Sequence, residues 1–342
     1  MDETLRIEAP GEPALAYLPV GLFGAVMGMT GLSVAWRMAE ARVGAIAGMV
    51  SQWLFAAALL IFVCVSLAYG IKLVTARSAV RAEFAHPVAG SLFGTVFISL
   101  LLLPLGMTAL DLGPVSGQDP RILALARVVW TLGAAGMLIF SWIVVIRWMS
   151  QRGQLSHAAP SWIIPVVGLL DIPLAWPVLQ LDWPVQGLLD LSLAVGLFFG
   201  LPIFTLVFHR LRFDDPLPPA LKPSLMILSA PFTVGSSCYV VVTGRMDLFA
   251  TSLTMVGLFL VAVILPQLRF LPSCCPFRVA WWAISFPLAA ASISALRYAE
   301  GAGPVASAVA LLVLAITTLI ILGLLLRTLL GLLRGELRTL ST

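Results

Sequence analysis

The sequence predicts an all-α integral membrane protein with ten transmembrane helices, and three observations support this fold class. Of the 342 residues, 60% are hydrophobic and only 11% are charged. The apolar residues form ten runs of about 20 residues or more, the length that crosses the hydrocarbon core of a bilayer. Prolines recur inside every second run. A soluble fold of this size could not hide so much apolar surface from water, so lipid is the predicted solvent.

The ten predicted spans are Ala16–Arg37, Ala47–Val74, Pro87–Leu110, Arg121–Trp148, Pro160–Val178, Val185–Leu211, Leu221–Gly244, Asp247–Leu268, Pro276–Tyr298 and Pro304–Leu333. They form a transmembrane domain over residues 16–333, between an N-terminal tail (1–15) and a C-terminal tail (334–342). The first tail is acidic and lacks the basic start of a signal peptide, so we expect it to be retained. We expect no long cytoplasmic control domain.

The basic residues between the runs predict that both termini are cytoplasmic. With this orientation, 14 of the 20 Lys and Arg residues fall on the cytoplasmic side and five on the other, while Arg127 lies within a span. Loops that remain in the cytoplasm carry the excess of positive charge. An even number of spans agrees, because it returns the chain to the side on which it started.

Prolines distinguish the odd-numbered spans from the even ones. Each odd span has a proline well inside it: Pro19, Pro104, Pro173, Pro231 and Pro287. Among the even spans, Pro202 is the clear exception. A proline bends a helix and frees a carbonyl, which in a membrane needs a partner or a water-filled cavity. The alternation predicts five tandem helical hairpins, with kinked odd helices around a central pore and even helices facing lipid. Prolines are common in transmembrane helices generally, so coincidence stays open.

A stripe of glycines on the first span is a second clue to this inner space. Gly21, Gly24, Gly28 and Gly31 are three, four and three residues apart, so they share one helix face. Such a stripe either lets another helix approach closely or leaves bare backbone lining a passage. The sequence does not choose between these two uses.

Three ionisable residues fall inside the spans, where a charge usually faces a cavity or a partner. Asp171 precedes Pro173 by two residues and is either a protonatable pore residue or a hydrogen-bonding group at the kink. Asp190 is expected to reach the interface, and Arg127 to act as a counter-charge or extend outward. Enzyme, nucleotide-binding and metal-ligand motifs are absent from the sequence. We therefore expect no enzyme activity, no cofactor, no metal and no nucleic-acid partner.

Three segments resemble one known family of membrane proteins. FRVAWWAISFPLAAASISALRYAE, from Phe277 to Glu300, resembles the ninth helix of the plant guard-cell slow anion channels. LPVGLFGAVMGMTGLSVAW, from Leu18 to Trp36, is similar to the first helix of the bacterial tellurite-resistance protein TehA, and RAEFAHPV, from Arg81 to Val88, to that family's entrance to helix three. The resemblance implies five tandem hairpins around a pore, a homotrimer and a location in the bacterial inner (plasma) membrane.

The resemblance also implies a function and a gate. The family gate is a phenylalanine directly before a proline in helix nine, which corresponds here to Phe286 before Pro287. The implied function is a channel for small anions such as chloride or nitrate, occluded by that ring. An ionised Asp171 facing the pore would repel anions, so we expect it to be protonated, paired or turned away. Further pore-lining or pore-kink candidates are Pro19, Gly24, Pro104, Asp171, Pro173, Pro231 and Pro287.

Two other functions remain open from the sequence. A proton-coupled transporter of a C4-dicarboxylate, tellurite or sulfite would use the same fold, with Asp171 as a natural proton site. A membrane-embedded enzyme or assembly factor would need polar groups converging at one depth, and the sequence offers few.

Overall fold

The computed structural model describes residues 15–107, 119–181, 184–269 and 275–341. These residues contain ten helices that are long and apolar enough to cross a membrane, which confirms the predicted fold class. In chain order they are α1 Val20–Val43, α2 Ala45–Thr75, α3 Ala89–Met107, α4 Pro120–Ser150, α5 Pro160–Leu179, α6 Gln186–Phe213, α7 Pro219–Thr243, α8 Leu248–Leu268, α9 Val279–Tyr298 and α10 Gly303–Leu333. Nearly all of the predicted N-terminal tail, and the predicted end of the third span at Leu110, lie outside the described residues.

Burial alternates along the chain as the prolines predict. In the odd helices, 61–78% of the most apolar 18-residue window is buried inside the protein, against 17–39% in the even helices. Since both sets are strongly apolar, this difference separates packing against protein from exposure to lipid. The odd helices form the inner layer and the even helices surround them.

Every odd helix begins with a stretch of 3₁₀-helix and continues as α-helix. The 3₁₀ stretches are Val20–Leu22, Ala89–Phe93, Pro160–Ile163, Pro219–Ser229 and Val279–Ile284. Serine hydroxyl groups donate hydrogen bonds to backbone carbonyls near the change from 3₁₀- to α-helix. Ser229 Oγ donates to the carbonyl of Met226 (2.8 Å), and Ser285 Oγ donates to the carbonyl of Trp282 (2.7 Å). These bonds satisfy backbone oxygens that no water reaches inside a membrane.

The structure corrects the expected position of one proline. Pro19 does not lie inside α1; it precedes the helix with an extended backbone (φ −83°, ψ 144°). Pro231 and Pro287 lie inside the continuous helices α7 and α9, where they are the second and third residues of the α-helical segments Ala230–Thr243 and Ser285–Tyr298. These two prolines mark the change from 3₁₀- to α-helix, whereas Pro104 lies within an α-helix.

The helix α5 is the most interrupted of the ten. Short α-helical pieces alternate in it with 3₁₀ turns. One 3₁₀ turn ends at Asp171, and the next 3₁₀ turn begins at Pro173. Side chains of α4 support this broken backbone: Trp130 Nε1 donates to the carbonyl of Ile172 (2.9 Å), and Arg127 Nε to that of Leu179 (2.8 Å). Arg127 thus stabilises the carboxyl-terminal end of α5, where the helix dipole favours a cation. Its partner there is a backbone carbonyl group rather than a carboxylate.

We call the side on which the odd helices begin the near side, and the other the far side. Two short helices outside the ten spans pack on the near side. On the near side, the short helix Arg77–Ala85 follows α2, and its Glu83 pairs with the buried Lys72 (2.7 Å). The C-terminal tail also folds there, because Leu340 of the helix Leu337–Ser341 packs against Leu18 and Val279.

The glycine stripe brings α1 against α9. A Cβ atom added to Gly28 would lie 2.2 Å from Ser285 Oγ, and one added to Gly31 would lie 2.9 Å from the Cβ of Ala289. Close packing is therefore one use of the stripe. Gly21, Gly24 and Gly31 also line internal cavities, so both uses that the sequence left open apply.

Gly28→Ala is expected to destabilise the protein by about 1–3 kcal/mol, because the added methyl group overpacks this contact. Thermal unfolding in detergent would measure the loss. Gly70→Ala is the matched control, since nothing lies within 4 Å of its added Cβ. Combining Gly28→Ala with Ser285→Gly should restore most of the stability; failure to restore it would contradict the packing explanation.

Candidate functional site: two cavities separated by Phe286

A cavity opens on the near side along the axis of the inner helices. Its lining comes from α1, α3, α5, α7, α9 and the segments just before them, with none from an even helix among the described lining residues. The near cavity has a volume of about 100 Å³. A single buried water needs about 10–15 Å³, so the cavity has room for several.

A second, smaller cavity lies on the far side. The same five helices line it through residues closer to their carboxyl ends, including Gly31, Leu102, Leu174, Ser237 and Arg297. This far cavity has a volume of about 50 Å³. The two cavities therefore follow one another along the axis of the inner layer.

The side chain of Phe286 lies between the two cavities and lines both of them. It is 8% exposed and sits in the first turn of the α-helical part of α9. A Cβ atom added to Gly31 would lie 3.5 Å from the edge of this ring, an ordinary van der Waals distance, so α1 packs beside the ring. Among the described lining residues, the two cavities meet at this side chain.

The near cavity is mainly apolar, with hydroxyl groups at its edges. Thr95, Ser161 and Ser224 line it, and each hydroxyl donates to a backbone carbonyl. Because these protons are already engaged, the lining offers oxygen lone pairs and apolar surface more than free donors. An ion that crosses such a space must give up much of its hydration.

Asp171 is the one ionisable side chain among the described residues that line the near cavity. It is 1% exposed, and its Oδ1 atom has no hydrogen-bond partner. Cys238 of α7 lies close enough to interact with it electrostatically. Asp171 thus lines the near cavity, and its Oδ1 atom makes no hydrogen bond at the kink.

Sequence-based candidates divide into residues at the cavities and residues away from them. Gly24, Asp171, Phe286 and Pro287 line the near cavity. Pro19, Pro104, Pro173 and Pro231 are not among the described residues that line either cavity. Asp190 lies outside both, exposed near the start of α6, where Gln186 Nε2 donates to its Oδ1 (2.8 Å).

Two residues of the far cavity were missed by the sequence reasoning. Arg297 lies near the end of α9, and its Nε atom is buried without a hydrogen-bond partner. Ser237 of α7 is 3% exposed, and its hydroxyl group also has no partner. The sequence placed Arg297 only as one of five basic residues beyond the predicted cytoplasmic side. Nothing in the sequence around Arg297 indicates that its side chain lines a cavity.

The chain is similar to known membrane proteins over most of its length. Residues 17–329 match the sequence model of the voltage-dependent anion channel family. The S-type anion channel SLAH3 of Arabidopsis thaliana is 27% identical over an alignment of 342 positions, which covers 95% of this chain and 51% of SLAH3. An uncharacterized transporter of Methanocaldococcus jannaschii is 28% identical over 286 aligned positions, which cover 78% of this chain and 80% of the transporter.

A bacterial protein gives similar agreement. The tellurite resistance protein TehA homolog of Haemophilus influenzae is 28% identical over 293 aligned positions, which cover 83% of this chain and 82% of that homolog. The chain spans about half the length of SLAH3 and of the guard cell S-type anion channel of Arabidopsis thaliana, and about four fifths of the archaeal and bacterial relatives.

Proposed function

The chain belongs to the SLAC1 family of voltage-dependent anion channels, and we propose that it is a channel for small inorganic anions such as chloride or nitrate, gated by Phe286. The single observation that carries this proposal is the position of the ring between two cavities lined by the same five helices. In this arrangement the closed pore is blocked at one place. Apolar walls beside the ring also disfavour water, so dewetting adds to the steric block.

The charges of the inner layer suit an anion better than a cation. Five helices begin around the near cavity, and helix amino termini carry partial positive charge. Arg297 contributes a full positive charge at the far cavity. The apolar lining favours monovalent anions that lose water easily, such as nitrate, over strongly hydrated ones such as sulfate.

Anion efflux from vesicles tests the function directly. Proteoliposomes that contain the Phe286→Ala variant and are loaded with potassium nitrate or potassium chloride should release the anion when valinomycin lets potassium leave. Vesicles loaded with potassium sulfate, and vesicles with the wild-type protein, should release little. Protein-free vesicles give the background. Release of potassium without valinomycin, or equal release of sulfate, would contradict a selective anion pore.

Proton-coupled transport is the second candidate function, and the buried carboxyl group in the near cavity favours it. If Asp171 takes up and releases a proton during transport, uptake of the anion will depend on pH through this residue. The names of the relatives include a tellurite resistance protein, so tellurite is one substrate to try.

Asp171→Asn is expected to abolish any pH dependence of anion uptake that proton coupling causes, since the amide cannot exchange a proton in this range. Uptake into proteoliposomes at several external pH values would measure it. Asp190→Asn is the matched control, because Asp190 is exposed and outside both cavities. If the pH dependence of the Asp171→Asn variant equals that of wild type, coupling at this residue is wrong.

We further propose that both termini are cytoplasmic, so that the near side faces the cytoplasm of a bacterial inner membrane, and that three copies assemble. The outward faces of the even helices are apolar, and Trp53 and Phe198 are 79% and 77% exposed there, so these faces suit contact with lipid or with another copy. Each chain encloses its own pair of cavities, so a homotrimer would contain three separate pores. Light scattering of the protein in detergent would give the number of copies, and cysteine labelling of residue 337 from each side would give the orientation.

A further inference from the structure

We propose that the far cavity contains an anion-binding site formed by Arg297 and Ser237, just beyond the Phe286 ring. The inference deepens the proposed function, on which it rests, by assigning the residues that recruit the ion on the far side. It names the ligand class as a monovalent, weakly hydrated anion, either a halide or a small oxyanion such as nitrate.

Two polar groups without hydrogen-bond partners belong to residues that line the far cavity. The Nε–H group of Arg297 is buried and has no hydrogen-bond partner. The hydroxyl group of Ser237, on a different helix, is also without a partner, and its side chain is 3% exposed. A buried donor without an acceptor costs about 1–3 kcal/mol, so such groups are rare unless something binds them.

The charge of Arg297 is not neutralised by its neighbours in the described part of the chain. It takes part in no ion pair there, although Glu300 lies close enough to influence it electrostatically. The other residues lining the far cavity are apolar or glycine, apart from Ser237. An anion that entered this space would meet one cation and one hydroxyl donor, with little other polar competition.

The size of the space limits the ligand. The far cavity has a volume of about 50 Å³. A halide or a planar oxyanion therefore fits with one or two waters, whereas a dicarboxylate does not. The ion would sit between the positive end of Arg297 and the ring of Phe286, which lines the same cavity. Rotation of the ring would then release the ion toward the near cavity.

Bromide provides a direct probe of this site. Crystals of the full chain soaked in sodium bromide should show anomalous scattering in the far cavity beside Arg297 and Ser237. The peak should be lost in Arg297→Gln and weakened in Ser237→Ala, and it should persist in Arg245→Gln. Arg245 is the matched control because it is an exposed arginine outside the far cavity, in the connection between α7 and α8. Absence of the peak in a well-folded wild-type protein would overturn the inference.

Current measurements give the second readout. With Phe286→Ala added to open the pore, Arg297→Gln should lower the anion current about five- to tenfold at 10 mM salt, as expected for removing one charge at contact distance in partly aqueous surroundings. The loss should shrink to less than about twofold at 1 M salt, because the positive charge no longer has to concentrate the anion at the pore when the bulk solution is itself concentrated. Arg297→Lys should restore part of the current at low salt, and Arg245→Gln should leave it unchanged.

The two readouts separate failure of the site from failure of the channel. If the Phe286→Ala protein carries no anion current but bromide binds beside Arg297, the channel proposal fails and the binding site stands. If current flows, bromide is absent and Arg297→Gln conducts like its parent at both salt concentrations, the site fails and the channel stands.

Discussion

Replacing Phe286 with alanine is expected to convert a nearly silent protein into one that passes anions continuously. The ring is the one side chain among the described lining residues that the near and far cavities share, so its removal joins them. A minor open state is typically populated at about 0.1–10%, so opening the pore permanently should raise the current about 10- to 1,000-fold. The measurement is the current through a planar bilayer, with wild-type protein as the reference.

The selectivity of the opened pore distinguishes it from a damaged membrane. With potassium chloride at different concentrations on the two sides, the reversal potential of Phe286→Ala should lie close to that of chloride. A reversal potential near zero would indicate an unselective leak. Phe198→Ala is the matched control, because this phenylalanine is 77% exposed on α6 and touches neither cavity. Equal currents in the two variants would contradict the gate.

Conservative replacements at the same position test the steric explanation. Phe286→Leu keeps an apolar side chain but reduces its width, so an intermediate current is expected. Phe286→Tyr keeps the ring and should stay nearly silent. If all three variants and the wild type remain silent while a proton gradient drives uptake, the carrier function replaces the channel.

The layering of the helices could be predicted because it depends on properties that act along the chain. Span length follows from bilayer thickness, and the proline alternation correctly indicated which helices lie inside. The position of Phe286 came from the resemblance of α9 to a known family, not from the pattern of residues. On composition alone, Phe286 resembles any other phenylalanine in a transmembrane helix.

The remaining features depend on contacts between helices, which no spacing rule reveals. Ser237 resembles Ser236 in the sequence, yet Ser236 bonds the carbonyl of Ala250 (3.0 Å) and Ser237 bonds nothing. Arg297 counted only as a loop charge until α9 placed it at the far cavity. Pro19 was assigned to the interior of a span because a hydropathy window cannot locate the first hydrogen bond of a helix.

The pairing of Lys72 with Glu83 makes a second strong prediction, for the near-side opening. Lys72 Nζ donates to Glu83 Oε2 (2.7 Å) and to the carbonyl of Leu18 (2.6 Å). Glu83 Oε1 accepts the backbone N–H of Val20 (2.7 Å), and Tyr69 donates to Oε2 (3.0 Å). One ion pair therefore binds α2, the short helix Arg77–Ala85 and the start of α1 together, next to the glycines that line the near cavity.

Glu83→Gln is expected to destabilise the protein by about 3–5 kcal/mol, because it leaves the ammonium of Lys72 buried without its carboxylate. Only 3% of the Lys72 side chain is exposed, so water cannot replace the lost partner. Thermal unfolding in detergent would measure the change. Glu40→Gln removes a partner from the pair Arg37–Glu40, whose side chains are 47% and 41% exposed, and should cost no more than about 1 kcal/mol.

The double variant Lys72→Met, Glu83→Gln separates the ionic effect from the loss of shape. Removing both charges leaves no uncompensated ion, so most of the stability lost in Glu83→Gln should return. The carbonyl of Leu18 would still lack its donor, and the start of α1 would be held less firmly. We therefore expect the double variant to be nearly as stable as wild type but to change the near-side opening, seen as altered anion current in the Phe286→Ala background. Equal instability of the single and double variants would show that the hydrogen bonds, rather than the charge pairing, hold this corner of the protein.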